Sequence, residues 1–175
     1  MDIQDRHFRT NELGERGSSR VNFIWKLIGT FGFTGFFPIA PATFASFIFV
    51  LVYALVPGGE VLANPFVALV TLVASVPVST QLEKAYGRDA KCIVIDEVVG
   101  MQVILVWAHP TLLGIVLAFF LFRLFDIIKP FPAGRSQKLP RGYGVVCDDL
   151  LAGLYARLGL ILIWLIWPGI GGFTI

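Results

Sequence analysis

Charged residues, histidine and cysteine are all scarce in this chain of 175 residues, and each shortage excludes a class of protein. Charged residues make up 15% of the sequence and apolar residues 56%, whereas a soluble domain holds about 25% charged residues. The two cysteines, Cys92 and Cys147, fit no metal-binding spacing such as C-x-x-C, and we expect no disulfide. The two histidines, His7 and His109, fall at distant positions, which leaves no plausible Ser–His–Asp arrangement.

Long apolar segments take the place of the missing charge, and the mean hydropathy is +0.77. We predict an all-α protein, a polytopic membrane bundle with about five membrane-embedded helices. Residues 21–37 are interrupted by glycine and threonine, which favours an interfacial helix followed by a glycine-rich loop. A polar connection is predicted at residues 79–91. The predicted crossings are residues 44–56 (starting near Pro41), 65–78, 92–107, 111–128 and 148–167.

The basic residues lie in alternate connections, and this pattern predicts the topology. Residues 1–20 read as a polar, flexible arm without the apolar core of a cleavable signal peptide, and residues 21–175 as a single membrane-embedded domain. Arginine and lysine occur in this arm, in residues 79–91 and in residues 129–144, but not in residues 57–64 or 108–110. Five crossings with a cytoplasmic N-terminus place every basic segment on the cytoplasmic side, as the positive-inside bias requires.

Three acidic clusters border the apolar segments at the predicted cytoplasmic ends. The clusters are Asp96 with Glu97, Asp126 alone, and Asp148 with Asp149. Capping of a helix N-terminus is an alternative reason for Asp148 and Asp149, but it does not apply to an acid pair inside an aliphatic run. Carboxylates gathered together repel one another, and a hard divalent cation such as Mg²⁺ relieves that repulsion.

Cations next to these acids suggest a phosphate ligand. Arg123 precedes Asp126 by three residues on the same helix face, and Lys129 follows it. An Arg–Asp pair that only neutralises itself at a helix end is the simpler alternative. Arg135, Lys138 and Arg141 are available as well, although topology and attraction to anionic lipid are the better explanation of these three. Metal, cations and a membrane interface together indicate phosphoryl chemistry on a lipid headgroup.

Three motifs resemble those of the phosphatidylglycerophosphatase A family. The family pattern D-E-x-x-G matches Asp96, Glu97 and Gly100. The pattern R-x-x-D-x-x-K-P-x-P matches residues 123–132, and G-x-G-x-x-x-D-D-x-x-A-G matches residues 142–153. The front of the chain departs from the family's P-x-x-P-G-T-x-G-S, because Ala42 and Ala45 replace both glycines. If those glycines need a positive φ or touch the headgroup, activity would fall, whereas alanine is a mild change if they serve only close packing.

The resemblance implies a bacterial inner-membrane phosphatase with its active site at the cytoplasmic face. It would use Mg²⁺ to convert phosphatidylglycerophosphate to phosphatidylglycerol and phosphate, with membrane lipids and no nucleic acid as its other partners. Its metal and catalytic residues would be Asp96, Glu97, Asp126, Asp148 and Asp149. Its substrate phosphate would be bound by Arg123, Lys129 and Thr43.

Two alternatives remain open from the residues alone. A phosphatase or transferase acting on another lipid headgroup could use the same acids, although the D-G-x-x-A-R motif of alcohol phosphatidyltransferases does not occur in the chain. A cation-coupled or proton-coupled transporter also carries intramembrane acids, but transport sites usually lie near the bilayer midplane.

Overall fold

The computed structural model describes residues 21–137 and 139–173, which fold into an almost entirely helical domain. The predicted arm at residues 1–20 and Lys138, a further candidate for phosphate binding, lie outside the described residues. Single 3₁₀ turns occupy Thr34–Phe36, Gly59–Ala63 and Pro168–Ile170. The α-helices within the described part are α1 (Phe23–Gly29), α2 (Pro41–Leu55), α3 (Pro65–Tyr86), α4 (Ile95–Leu105), α5 (Leu112–Ile128), α6 (Ala133–Ser136) and α7 (Gly142–Ile166).

Local sequence accounts for where several helices begin. Proline occupies the first helical position of α2 and α3, where its missing N–H costs nothing. The Asn64 side chain accepts a hydrogen bond from the Phe66 N–H at 2.9 Å, and the Thr111 hydroxyl accepts one from the Gly114 N–H at 3.3 Å. These caps place the starts of α3 and α5 where the sequence predicted them.

Three predicted segments have different bounds in the structure. Helix α3 continues past Val78 to Tyr86 because Ser79 and Leu82 are buried and hold it against the bundle. Helix α4 begins only at Ile95, since the Val94 N–H donates to the Gly29 carbonyl at 2.9 Å. Helix α7 begins six residues earlier than predicted, at Gly142. Asp148 and Asp149 therefore lie in its second turn, and helix capping does not explain them.

Two helices, α3 and α7, are long and apolar enough to cross a membrane by length and composition. Helix α2 is a shorter apolar helix. Helix α4 has 11 residues and is thus about 16 Å long, too short to span a hydrocarbon layer of about 30 Å. It is instead the central helix, with ten of its residues buried.

Glycines let the backbones of α4 and α7 cross in contact. A Cβ atom on Gly153 would lie 2.6 Å from the carbonyl oxygen of Gly100, and one on Gly100 would lie 2.3 Å from the Phe122 ring. The glycine that follows each acid pair by about one turn, Gly100 after Asp96 and Glu97 and Gly153 after Asp148 and Asp149, therefore serves close packing. This crossing sets how near the acids of α4 and α7 come to each other.

Gly153→Ala should destabilise the protein by about 1–3 kcal/mol, because the added methyl group has no space at this crossing. The measurement is the thermal unfolding midpoint of the purified protein in detergent. Gly159→Ala is the matched control on the same helix, since its Cβ would lie 3.6 Å from Leu121, an ordinary contact. Equal midpoints for the two variants would contradict this packing.

An arginine inside the apolar part of α7 joins it to the far end of α4. The Arg157 guanidinium donates to the carbonyls of Val103 and Val106, each at 2.8 Å. These carbonyls lie at the C-terminal end of α4, where helix carbonyls lack intrahelical partners. Arg157 therefore has a structural partner away from the acids.

The bundle has two ends, and the acids lie at one of them. The first turns of α2 and α4, the last turn of α5 and the N-terminal part of α7 meet at this site end. At the other end, strand β1 (Ala108–Pro110) pairs antiparallel with strand β2 (Gly171–Phe173). The basic connections after α3 and α5 both lie at the site end, as the alternating charge pattern predicted.

Candidate active site

All eight residues predicted from the sequence line one cavity of about 490 Å³. Helix α4 contributes acids from its first turn, α5 from its last turn and α7 from its second turn. Each of the five acidic residues is at most 9% exposed. The residues brought together are Thr43, Asp96, Glu97, Arg123, Asp126, Lys129, Asp148 and Asp149.

Arg123 joins two of the acidic helices. Its Nη1 atom lies 2.6 Å from Glu97 Oε2 and its Nη2 atom 2.9 Å from Asp126 Oδ2. The pair within α5 that could have neutralised itself does form, but the same guanidinium also reaches α4. Such a two-pronged contact is specific to arginine, because a lysine ammonium has no planar fork.

Lys129 enters the cavity from the C-terminal end of α5. Its backbone has a φ of 46°, which ends the helix and directs the chain into the following loop. The ammonium donates to Asp148 Oδ2 and lies 3.7 Å from Asp126 Oδ1. Partial burial lowers the pKa of Lys129, but the carboxylates of Asp148, Asp126 and Asp149 raise that pKa by more, so the side chain stays cationic.

The cavity holds more negative than positive groups. Counted as ionised, the five buried carboxylates beside Arg123 and Lys129 give a formal charge of −3, from −5 and +2, and the exposed Asp89 and Lys91 that also line the cavity cancel each other. Buried charge without a partner is unfavourable. Three carboxylate oxygens in the described structure are buried without a hydrogen-bond partner: Asp96 Oδ1, Asp148 Oδ1 and Asp149 Oδ2. The site is therefore short of positive charge.

Three carboxylates lie close enough to share a cation. Glu97, Asp126 and Asp149 each offer one oxygen, and the three oxygens lie within 4.8 Å of one another. They come from three different helices, so the helix packing itself assembles the set. Oxygen donors of this kind suit hard divalent cations.

Strained backbone surrounds this region. Of the seven described non-glycine residues with a positive φ, four line the acidic cavity or a side cavity of about 300 Å³ that shares Asp148 with it: Ala40, Asp89, Lys129 and Arg141. Strain of this sort persists only where the surrounding structure enforces it, and it concentrates at functional sites.

Two contacts to the acids come from uncharged residues that sequence reasoning missed. Gln137 Nε2 donates to Asp148 Oδ2 at 2.8 Å, and the Ser46 hydroxyl lies 3.5 Å from Glu97 Oε2. Gln137 stands in an irregular loop with no motif to mark it. Ser46 ends the P-x-x-P motif region, and this position was its only sequence signal.

Two arginines and two alanines that the sequence singled out remain to be placed. Arg135 lies over the Phe131 ring at 4.8 Å and does not line the acidic cavity, while Arg141 lines the side cavity. Ala42 and Ala45 lie in α2 with ordinary helical backbone, so neither position requires glycine for a positive φ. Ala42 lines the acidic cavity and Ala45 is fully buried.

Comparisons with known proteins give one family. The sequence profile described as Phosphatidylglycerophosphatase A matches residues 27–164. A Bacteroides thetaiotaomicron protein named "Putative phosphatidylinositol-3-phosphatase" is 36% identical over 78% of this chain and 91% of its own length. The Phosphatidylglycerophosphatase A of Escherichia coli is 28% identical over 82% of this chain and 86% of its own length.

A further relative covers a smaller part of the chain. The Phosphatidylglycerophosphatase A of Haemophilus influenzae is 47% identical over 72 residues, or 39% of this chain and 44% of its own length. No solved structure gives a significant match. The profile spans every acidic motif of the cavity, and the chain therefore belongs to the phosphatidylglycerophosphatase A family of phosphoric monoester hydrolases.

Proposed function

We propose that this enzyme is a Mg²⁺-dependent phosphatase that hydrolyses the terminal phosphate of phosphatidylglycerophosphate. The observation that carries the proposal is the convergence of five buried carboxylates with Arg123 and Lys129 in one cavity. Family membership supports the substrate, since two of the relatives bear the name of this activity. One water and one phosphomonoester give phosphatidylglycerol and inorganic phosphate.

The donor set of the cavity fits Mg²⁺. Glu97, Asp126 and Asp149 supply three clustered oxygens, and Asp96 and Asp148 supply further buried carboxylates. The unpartnered oxygens of Asp96, Asp148 and Asp149 are the groups a cation would satisfy. When bound, Mg²⁺ would neutralise charge on the phosphate and help to fix its orientation.

The cations of the chain supply the other half of the chemistry. Arg123 presents a fork that matches two phosphoryl oxygens, and Lys129 adds a point charge beside it. In the described structure both are paired with carboxylates, so substrate phosphate would compete with those carboxylates for them. Thr43 at the cavity wall donates a hydrogen bond to the headgroup in this account.

The attacking group is either water or one of the carboxylates. A carboxylate attack would form an acyl-phosphate and release phosphatidylglycerol first, and water would then release phosphate. Quenching a reaction with substrate labelled in its terminal phosphate separates the two routes, because only attack by a carboxylate leaves labelled phosphate on the protein.

A second candidate substrate is phosphatidylinositol 3-phosphate. The relative named as a phosphatidylinositol-3-phosphatase aligns with this chain over 91% of its own length. The side cavity adjoins the acidic one and carries Arg88, Gln137 and Arg141. Polar groups of this kind suit the hydroxyls of an inositol ring as well as those of glycerol.

The membrane arrangement belongs to the same proposal. Five helices embedded in the bacterial inner membrane, with the N-terminus and the acidic cavity on the cytoplasmic side, agree with the basic connections at the site end. A central helix as short as α4 fits such an arrangement only when its neighbours cover it, and its buried surface supports this.

The test is phosphate release by the detergent-purified full chain. Phosphatidylglycerophosphate, phosphatidylinositol 3-phosphate and phosphatidic acid are compared at equal concentration, with Mg²⁺ and then with chelator. We expect fastest release from phosphatidylglycerophosphate, loss of activity on chelation, and recovery when Mg²⁺ is restored. No release from a folded sample contradicts the proposal, and faster release from the inositol lipid favours the second candidate.

A further inference from the structure

An apolar groove of about 260 Å³ opens beside the acidic cavity and shares two lining residues with it. We call it the aromatic groove. Ala40 and Thr43 line both spaces, so the polar and apolar regions meet at the start of α2. The other walls include four aromatic rings, those of Phe37, Phe44, Phe47 and Phe119.

The rings are arranged in two packed pairs. Phe37 and Phe44 stack with centroids 4.0 Å apart, and Phe47 meets Phe119 edge to face at 6.4 Å. Phe44 and Phe47 belong to α2, whereas Phe119 belongs to α5. The groove therefore lies between two apolar helices, and none of its lining residues comes from the basic connections.

We propose that the aromatic groove binds the first methylenes of one acyl chain of the lipid substrate; this rests on the proposed function. An amphiphile with its terminal phosphate among the acids and cations would keep the rest of its polar headgroup in the acidic cavity, pass Ala40 and Thr43, and place the start of an acyl chain between the rings. The shared lining favours this occupant over a purely apolar ligand, because the groove adjoins the proposed phosphate site and a lipid phosphate can occupy both spaces at once. Thr43 then stands where the polar and apolar parts of the substrate join.

Other exposed aromatic side chains that the structure describes do not line both spaces in this way. Phe66 is 72% exposed on α3, and it lines neither the acidic cavity nor the aromatic groove. Bulk membrane lipid contacts such side chains without preference. The aromatic groove should instead bind the acyl chain of the substrate in preference to bulk lipid.

Two water-soluble substrates test the groove. Dihexanoyl phosphatidylglycerophosphate below its micellar concentration carries short chains, and the deacylated headgroup carries none. Each methylene that the groove covers should raise kcat/KM about four-fold, so the wild-type protein should prefer the dihexanoyl substrate. Phe47→Ala and Phe119→Ala should each lower that preference about ten-fold, and the matched control Phe66→Ala should leave it unchanged.

Equal loss on both substrates would overturn the proposal, because a merely structural role affects them alike. An unchanged preference in both groove variants would overturn it too. A second measurement covers the case in which the wild type hydrolyses neither substrate, which is failure of the proposed function. The protein is placed in nanodiscs with phosphatidylglycerophosphate that carries a photoreactive diazirine near the carboxyl end of one acyl chain. A parallel sample contains phosphatidylcholine with the same diazirine, and both samples are irradiated. Selective labelling of residues 37–47 or of Phe119 by the phosphomonoester lipid supports the groove, and equal labelling by both lipids refutes it.

Discussion

Replacing Asp126 by asparagine should reduce phosphate release from phosphatidylglycerophosphate at least about 10²-fold while the protein stays folded. Asp126 is buried at the end of α5, where its two oxygens face Arg123 and Lys129. It is also one of the three acids whose oxygens lie within 4.8 Å of one another. An amide of the same size keeps the packing but removes the charge that a cation would need.

The measurement is kcat with Mg²⁺ at saturating lipid, accompanied by thermal unfolding of the same preparation. Glu60→Gln is the matched control, because it removes one carboxylate from an exposed position at the opposite end of the bundle. The control should keep wild-type activity. A fully active Asp126→Asn variant would remove Asp126 from the site.

Arg123 should be even less replaceable, with turnover falling on the order of 10³-fold in Arg123→Lys. The guanidinium contacts Glu97 and Asp126 with separate nitrogens, and lysine cannot reproduce that fork. The same geometry suits two oxygens of a phosphoryl group. Lysine keeps the charge, so this variant isolates geometry from electrostatics.

Arg123→Ala should in addition lower the free energy of unfolding by about 3–5 kcal/mol, because two buried carboxylates, Glu97 and Asp126, lose their contact with the guanidinium. Denaturant unfolding of both Arg123 variants measures this. Arg135→Lys is the control, since Arg135 packs on the Phe131 ring away from the acidic cavity. Wild-type turnover in Arg123→Lys would contradict a bidentate role.

The acidic residues could be found from the sequence because each one is costly where it stands. Asp96 and Glu97 interrupt an aliphatic run, and Asp126 ends another, so burial was expected to demand a partner. The predicted alternation of helix direction put all of these residues at the same end of the bundle, so we expected them to meet. The structure places all of them in one cavity.

Helix ends and uncharged contacts could not be found in the same way. Ser79 looks like a loop residue, but its burial against the bundle carries α3 two turns further. Gln137 contacts Asp148 only because α6 and its loop fold back over α7. The aromatic groove joins Phe119 to residues more than 70 positions earlier, and hydropathy carries no information about such a pairing.

The two alanines that replace the family's glycines should have only a small effect on activity, because neither position has a positive φ. Both Ala42 and Ala45 are helical, and the strained position next to them is Ala40, with a φ of 48°. Alanine there suffers the penalty that glycine would avoid. Of the two replacing alanines, Ala42 lines the acidic cavity, so its methyl group changes the shape of the cavity wall.

A Mg²⁺ titration of phosphate release tests whether acids from three helices form one cation-dependent phosphatase site. The wild-type protein should show saturable activation by Mg²⁺ and no release in chelator. Asp149→Asn, which removes a buried and unpartnered carboxylate oxygen, should raise the half-activating Mg²⁺ concentration about 10–100-fold. Full activity in chelator, or the same Mg²⁺ dependence in wild type and variant, would show that these acids do not form the cation site.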